Sequence, residues 1–363
     1  MNIPQVRLLL DEREKAAVNA VLESGWITEG PQCAAFHDSL LKLTGAPYGV
    51  FAPNGTLALV MALLTLGIEQ GDEVIVPDCT FIASANSVVL AGGTPVFCDV
   101  KPDTFQIDVE SAERVVTPST KFIMPVHLFG SCADMDAVMG FAARHGLLVV
   151  EDAAQAIGVH YRGQHAGTFG DCGCFSFFAD KTLTTGEGGF VVCRDLHDYE
   201  WLELLRCHGR RQSGSFVHPH MGWNFRITDL QAAVGNAQMA KLRDTIALKQ
   251  MALDWYHYEL DDVDEVQFVS VEKGSEQVPF RCALLCQRRE QLSVYLREWG
   301  IEPRTFFYPL HMQPCFGYLG SPDDLQFPNA IHGWEQGLLL PCYPLLTRKE
   351  VATIGNAIRG FYA

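Results

Sequence analysis

The sequence predicts an α/β fold in two parts: a large domain over residues 1–240, built on a mainly parallel sheet, and a smaller C-terminal α/β domain over 241–363. Two observations carry the prediction. Short β-branched and aromatic runs alternate with helix-like runs over most of residues 30–240, the pattern of parallel strands joined by helical crossovers. From Thr228 to about Leu260 the chain then turns helical with few breakers, long enough to connect two domains. The length agrees, since 363 residues can bury a large core and match a prior of about two domains.

Glu12 to Glu23 reads as a helix that joins the smaller domain. Tyr48 to Ala52 reads as a strand, bounded by Pro47 and the turn residues Asn54-Gly55, and Leu57 to Leu66, free of breakers, as a helix. Glu73 to Val76 is a second strand and Phe81 to Leu90 a second helix. Pro95 to Asp99, Phe122 to Val126, Leu147 to Val150 and Phe175 to Phe178 are apolar runs too short for helices and read as further strands. Met135 to His145 is a helix stopped by Gly146. In the smaller domain, strands near Val266 to Val269 and Pro279 to Cys286 precede helices at Arg289 to Trp299 and Arg348 to Gly360.

Charged residues are 19% and hydrophobic residues 48%, which fits a compact globular protein rather than a disordered one. A net charge of −16 supplies no basic face, so neither nucleic acid nor a membrane surface is expected as a partner. An anionic substrate would need local arginines. The twelve cysteines are scattered; neither Cys172-Gly173-Cys174 nor the pair Cys282 and Cys286 has the spacing of a zinc site, and no metal is expected. MNIPQVRLLLDERE holds no signal-peptide pattern and no apolar run is long enough to span a bilayer, so reduced thiols and a cytoplasmic location are expected.

The chemistry centres on Lys181. It sits in Phe175-Ser176-Phe177-Phe178-Ala179-Asp180-Lys181, ahead of the glycine-rich run Thr182 to Gly189, and upstream an apolar strand ends on Glu151-Asp152. A carboxylate closing a buried strand, then a lysine with a serine five positions before it, suggests pyridoxal phosphate (PLP) catalysis. Lysine forms the Schiff base, the acid pairs with the pyridinium nitrogen, and small hydroxyl residues hold the phosphate. Each residue has a plainer reading. Asn54-Gly55-Thr56 is a phosphate-binding helix start or an ordinary turn. Asp152 is the pyridinium partner or a helix cap, and Gln155 a contact to the cofactor's ring oxygen or a first-turn residue. Lys181 is a desolvated nucleophile or a loop lysine, but Gly186, Gly188 and Gly189 mark a close-packed turn, unusual around a merely solvated residue.

The segments NGTLAL, DCTFIASANSV, EDAAQA, SFFADKTLTTGEGG, GWNFRITDLQAA and YPLHMQP, in this order over nearly the whole chain, resemble the DegT/StrS-type sugar-nucleotide aminotransferases. Asp180 is a departure, since asparagine is the commoner neighbour of the lysine. The resemblance implies a fold-type-I PLP enzyme, its large domain on a mainly parallel seven-stranded sheet, working as a homodimer with each active site built from both subunits. It implies Lys181 as the Schiff-base lysine, Asp152 as the pyridinium partner, Gln155 as a cofactor contact, and Thr56 and Ser176 as phosphate ligands with Gly55 alongside. Asn224 corresponds to a phosphate contact reaching in from the other subunit, and Phe81 to an aromatic ring stacked on the cofactor; a helix-core role is the alternative for Phe81.

Arg304, Tyr308 and His311 belong to the neighbourhood that lines the sugar-nucleotide site in relatives, or else to a surface loop. The loop Cys207 to Met221, with His208, Arg210, Arg211, His218 and His220, covers the nucleotide's phosphates or is simply solvated. The implied reaction moves an amino group from glutamate to a nucleotide-linked keto-sugar. FADKTLTTGEGG most resembles perosamine synthases, which aminate GDP-4-keto-6-deoxymannose at C4; a C3-aminating relative acting on a dTDP- or UDP-linked sugar is the nearest rival. PLP-dependent sugar dehydratases lack the lysine, and a silent PLP-fold protein would not need Asp152, Ser176 and Lys181 together.

Overall fold

The computed structural model describes residues 2–210, 216–320 and 323–363, and its largest element is a seven-stranded sheet. The strands are β1 (Tyr48–Ala52), β2 (Glu73–Pro77), β3 (Thr94–Cys98), β4 (Thr120–Ile123), β5 (Leu148–Asp152), β6 (Cys172–Ser176) and β7 (Gly189–Cys193). They lie in the order β1-β7-β6-β5-β4-β2-β3. β7 runs antiparallel to both its neighbours, β1 and β6, while the pairs from β6 through to β3 are parallel.

Both faces of this sheet are covered, which is why its strands read as apolar runs instead of alternating ones. Val50, Val74, Val76, Phe122, Val150 and Val191 pack on one side with helices Gly55–Thr65 and Ala83–Leu90. Phe51, Ile75, Ile123, Val149, Phe175 and Phe190 pack on the other with Pro31–Thr44 and Met135–His145. A second, antiparallel sheet follows: β8 (Val266–Phe268), β9 (Cys282–Cys286), β10 (Arg304–Thr305) and β11 (Gly337–Leu340), in the order β8-β9-β11-β10. Helices Leu242–Leu260 and Arg348–Tyr362 close its core through Leu253, Tyr256, Val351, Ile354 and Ile358.

Four expectations need correcting. The run Thr228 to Leu260 is two helices, Asp229–Ala240 and Leu242–Leu260, because Lys241 is pulled out of register to reach Glu14 Oε1 at 2.7 Å and Asp11 Oδ2 at 3.2 Å. Those same contacts hold the N-terminal helix Glu12–Ser24 against Asp229–Ala240; only the segment before it reaches the second sheet's core, where Ile3 bridges Ile301. The strand expected at Phe175 to Phe178 ends at Ser176, since beyond it the Phe177 carbonyl accepts the Thr185 N–H, outside the register of β6 with β7. Phe81 precedes its helix and is 57% exposed, which excludes a helix-core role. All twelve cysteines are free, no group of three or more metal-ligating side chains occurs among the described residues, and no described helix is long and apolar enough to cross a membrane.

Candidate active site

Residue Gly189 pairs with both Ala52 and Ser176, so the ends of β1 and β6 meet at the start of β7. From there the chain enters helix Gly55–Thr65, capped by the Asn54 side chain, which accepts the Leu57 N–H at 3.0 Å. The N–H groups of Gly55 and Thr56 are left at the helix start. A Cβ on Gly55 would stand 2.8 Å from the Ser176 Cβ and 3.2 Å from its Oγ, and a Cβ on Gly189 only 2.5 Å from the Asn54 carbonyl oxygen. Glycine is therefore what lets these three strand ends close up. Backbone donors at a helix start, with two hydroxyls beside them, form an anion cradle. Gly55→Val is expected to push Ser176 away and weaken PLP binding roughly tenfold or more, on the scale of about 1–3 kcal/mol for overpacking; titrating the apoprotein with PLP by absorbance checks it.

Strand alternation separates the two acids that end β5. Glu151 is fully buried and consumed by His127 Nε2 at 2.8 Å and the N–H groups of Gly167, Phe169 and Gly170. Asp152 faces the other way, 6% exposed; its Oδ1 accepts the Ala154 N–H at 3.1 Å and its Oδ2 the Ser84 hydroxyl at 2.7 Å. Ser84 in turn meets the Thr80 hydroxyl at 3.2 Å. Asp152 is thus the acid with a lone pair to spare, and Ser84 fixes its plane. Sequence reasoning missed Ser84. It lies within DCTFIASANSV, but nothing local to that segment says which carboxylate it meets.

Gln155 gives its amide oxygen to the Phe129 N–H at 2.9 Å, which leaves its own N–H2 as the half able to donate. Phe81 presents its ring 6.1 Å from that of Phe307, open to a flat ligand. Lys181 follows the turn after β6, with its Nζ 4.7 Å from the Phe280 ring centroid. Its stem keeps some exposure, yet crowding around the amine pulls its pKa below the ordinary lysine value, with desolvation the largest cause and Arg281 adding to it. Asp180 beside it holds the buried Arg281 at 2.5 Å. An amine with a lowered pKa, an oriented carboxylate and a glycine-lined anion cradle fit PLP.

The structure brings Arg304 to this neighbourhood: its half-exposed guanidinium is 3.9 Å from Asp180. Tyr308 packs edge-on against Trp334, ring centroids 5.1 Å apart. His311 departs from the expectation of an open substrate contact. It is buried, with Nδ1 at 2.7 Å from Asp78 Oδ2 and Nε2 at 3.3 Å from Asp324, and it stacks on Phe327. Burial is the largest single influence and opposes its protonation, but the hydrogen bonds and charges of Asp78 and Asp324 together outweigh it and raise its pKa, and the ring ties β2's exit to the segment after β10. Asn224 lies elsewhere, in a cleft of about 800 Å³ with Trp26, Glu29, Arg206, Arg210 and Arg226, its Oδ1 accepting from Arg226 Nε at 2.9 Å. In the Cys207 to Met221 loop, His218 Nδ1 lies 2.7 Å from the His208 carbonyl and the His220 ring sits on Trp201; Arg211 falls outside the described residues.

A model of the DegT/DnrJ/EryC1/StrS aminotransferase family matches residues 9–359. The chain belongs to this family. It is 38% identical to GDP-perosamine synthase of Caulobacter vibrioides, over 96% of this chain and 95% of that one. It is 37% identical to the UDP-N-acetyl-3-dehydro-alpha-D-glucosamine 3-aminotransferase of Acidithiobacillus ferrooxidans, over 94% and 92%. The fold superposes with a TM-score of 0.94 on the PLP-form of the putative sugar aminotransferase Spr1654 from Streptococcus pneumoniae, at 27% identity and covering 99% of this chain and 98% of that one. As a DegT/DnrJ/EryC1/StrS enzyme the protein is a PLP-dependent aminotransferase.

Proposed function

We propose that the protein transfers the amino group of glutamate to C4 of a nucleotide-linked 4-keto-6-deoxy sugar, in the manner of GDP-perosamine synthases, supplying surface polysaccharide such as O-antigen. The observation that carries this is the near full-length likeness to the Caulobacter vibrioides enzyme. When bound, PLP supplies an aldehyde carbon for amine exchange and a ring that accepts the electrons of the broken substrate C–H bond. Thr56 and Ser176 hold the phosphate, with the Gly55 N–H, and Phe81 covers the ring. Asp152, locked by Ser84, keeps a proton on the pyridine nitrogen. Lys181 Nζ, free once the donor's amine takes its place, would move the proton from the donor's α-carbon to the cofactor's aldehyde carbon, and in the second half of the cycle from that carbon to the sugar carbon. Arg304 and Tyr308 are read as sugar-nucleotide contacts, and His311 as the pin that holds their segment.

Amination at C3 of a UDP- or dTDP-linked sugar is the second reading, favoured by the Acidithiobacillus ferrooxidans relative at 37% identity. Incubating the pure protein with glutamate and a panel of GDP-, dTDP- and UDP-linked 3- and 4-keto-sugars decides between them. Only the GDP-4-keto-6-deoxy compound turning into an amino sugar supports the first; turnover of a 3-keto substrate alone replaces it.

The working unit is read as a homodimer, because Asn224 stands in a cleft apart from Thr56 and Ser176. Asn224→Ala and Lys181→Ala proteins, each impaired alone, should regain about a quarter of wild-type activity when their subunits are exchanged, since each hybrid then carries one intact site of two. A mixture that stays dead after verified exchange overturns the shared site.

A further inference from the structure

The structure assigns a role to Lys249, a residue outside all the family segments above: we infer that it is a positioning residue whose charge, held with Lys181 at the ring of Phe280, drives protons off the cofactor-bearing nitrogen. The inference rests on Lys181 being that nitrogen's source. Lys249 lies on the long helix Leu242–Leu260, fully packed, with 2% of its surface exposed. Its Nζ donates to Thr182 Oγ1 at 3.0 Å, the residue directly after Lys181. The Phe280 ring centroid is 5.6 Å from Lys249 Nζ and 4.7 Å from Lys181 Nζ, so the two amines share one aromatic ring and are at most about 10 Å apart.

The charges around the two amines are mixed. Asp180 is committed to Arg281 at 2.5 Å, and Arg281, stacked on Phe280 at 4.3 Å, adds a third cation to the same ring. The Cys342 thiol beside Lys249 is held neutral because burial raises its pKa. Arg7 and Tyr343 line the same crevice, Asp180 favours the charged form of both amines, and Asp152 favours that of Lys181. Desolvation, then Arg281 and Lys181, bring Lys249 down to about 8, so at neutral pH it still carries its charge in most molecules. Below about pH 8, where Lys249 is charged, it disfavours the protonated form of the bound nitrogen at Lys181, and removing it raises the pH at which that proton leaves.

The test is a pH titration of the visible absorption band of the holoenzyme, without substrate, for four proteins. Lys249→Gln retains a donor for Thr182, and Lys249→Met fills the space with no polar atom. In both, the spectral midpoint should rise by about one pH unit, the size expected for like charges about 10 Å apart at an effective dielectric of about 20. Lys249→Arg should stay near the wild-type midpoint. An unmoved midpoint in whichever neutral variant folds and binds PLP stoichiometrically overturns the inference. Borohydride reduction of the wild type separates this failure from that of the underlying reading: an adduct on any lysine but Lys181 removes the premise itself.

Discussion

Lys181→Ala is expected to abolish amino transfer, with turnover at least about a thousandfold lower, while the protein still takes up PLP. Two functions are lost together: the amine that the donor displaces, and the base that moves the proton, and a positioned acid–base group alone accounts for roughly a hundred- to ten-thousandfold. Uptake survives because the cradle of Gly55, Thr56 and Ser176 owes nothing to the lysine side chain; it is set by the pairing of Gly189 with Ala52 and Ser176. The measurement is glutamate-dependent turnover beside PLP stoichiometry, with borohydride reduction and peptide mass spectrometry as control. The control matters because a second buried amine, Lys249, lies across the same aromatic ring. Wild-type protein should carry the adduct on Lys181 and the variant none.

Asp152→Asn is expected to lower turnover roughly ten- to a thousandfold with little change in thermal stability. An opposite charge at contact distance shifts a pKa by about 1–3 units, and that is the protonation lost from the pyridine nitrogen when the carboxylate becomes an amide. The fold has less at stake. The amide oxygen can still accept one of the two hydrogen bonds that Asp152 receives from Ser84 and the Ala154 N–H, and Glu151, not Asp152, anchors the loop around Gly167 to Gly170. Turnover together with a melting curve separates the readings: near-normal turnover leaves Asp152 as a cap, and a large loss of melting temperature makes it a structural residue.

Much of the fold was legible because its signals are local. Tyr48–Ala52 and Met135–His145 have the bounds their sequence gives, set by turn residues on one side and a closing glycine on the other. Lys181, Asp152, Ser176 and Gly55 stood out for the same reason: their chemistry is carried by residues within one strand end or one turn. Most of what escaped depends on partners distant along the chain. β7 begins on the last glycine of the glycine-rich run, a residue chosen for two neighbours, Ala52 and Ser176, and its apolar Phe190 to Cys193, a local signal, was passed over. The split at Lys241 is decided by Asp11 and Glu14, and the burial of His311 by Asp78. Ser84 and Lys249 point at functional groups only once the sheet and the long helix are assembled.

The reversed strand β7, wedged between β1 and β6, makes the order of assembly strict. β1 has no other strand beside it, so as the chain leaves the ribosome it waits as an unpaired segment until Cys193 has emerged. Its pairing closes a long loop, a slow event compared with the neighbouring parallel pairs such as β2 with β3. The phosphate cradle is made in that same step. PLP whose phosphate is held by that cradle therefore finds its full site only in a chain whose β7 is paired. It draws the equilibrium only from the native side, by mass action, and its capture marks the moment the sheet is complete.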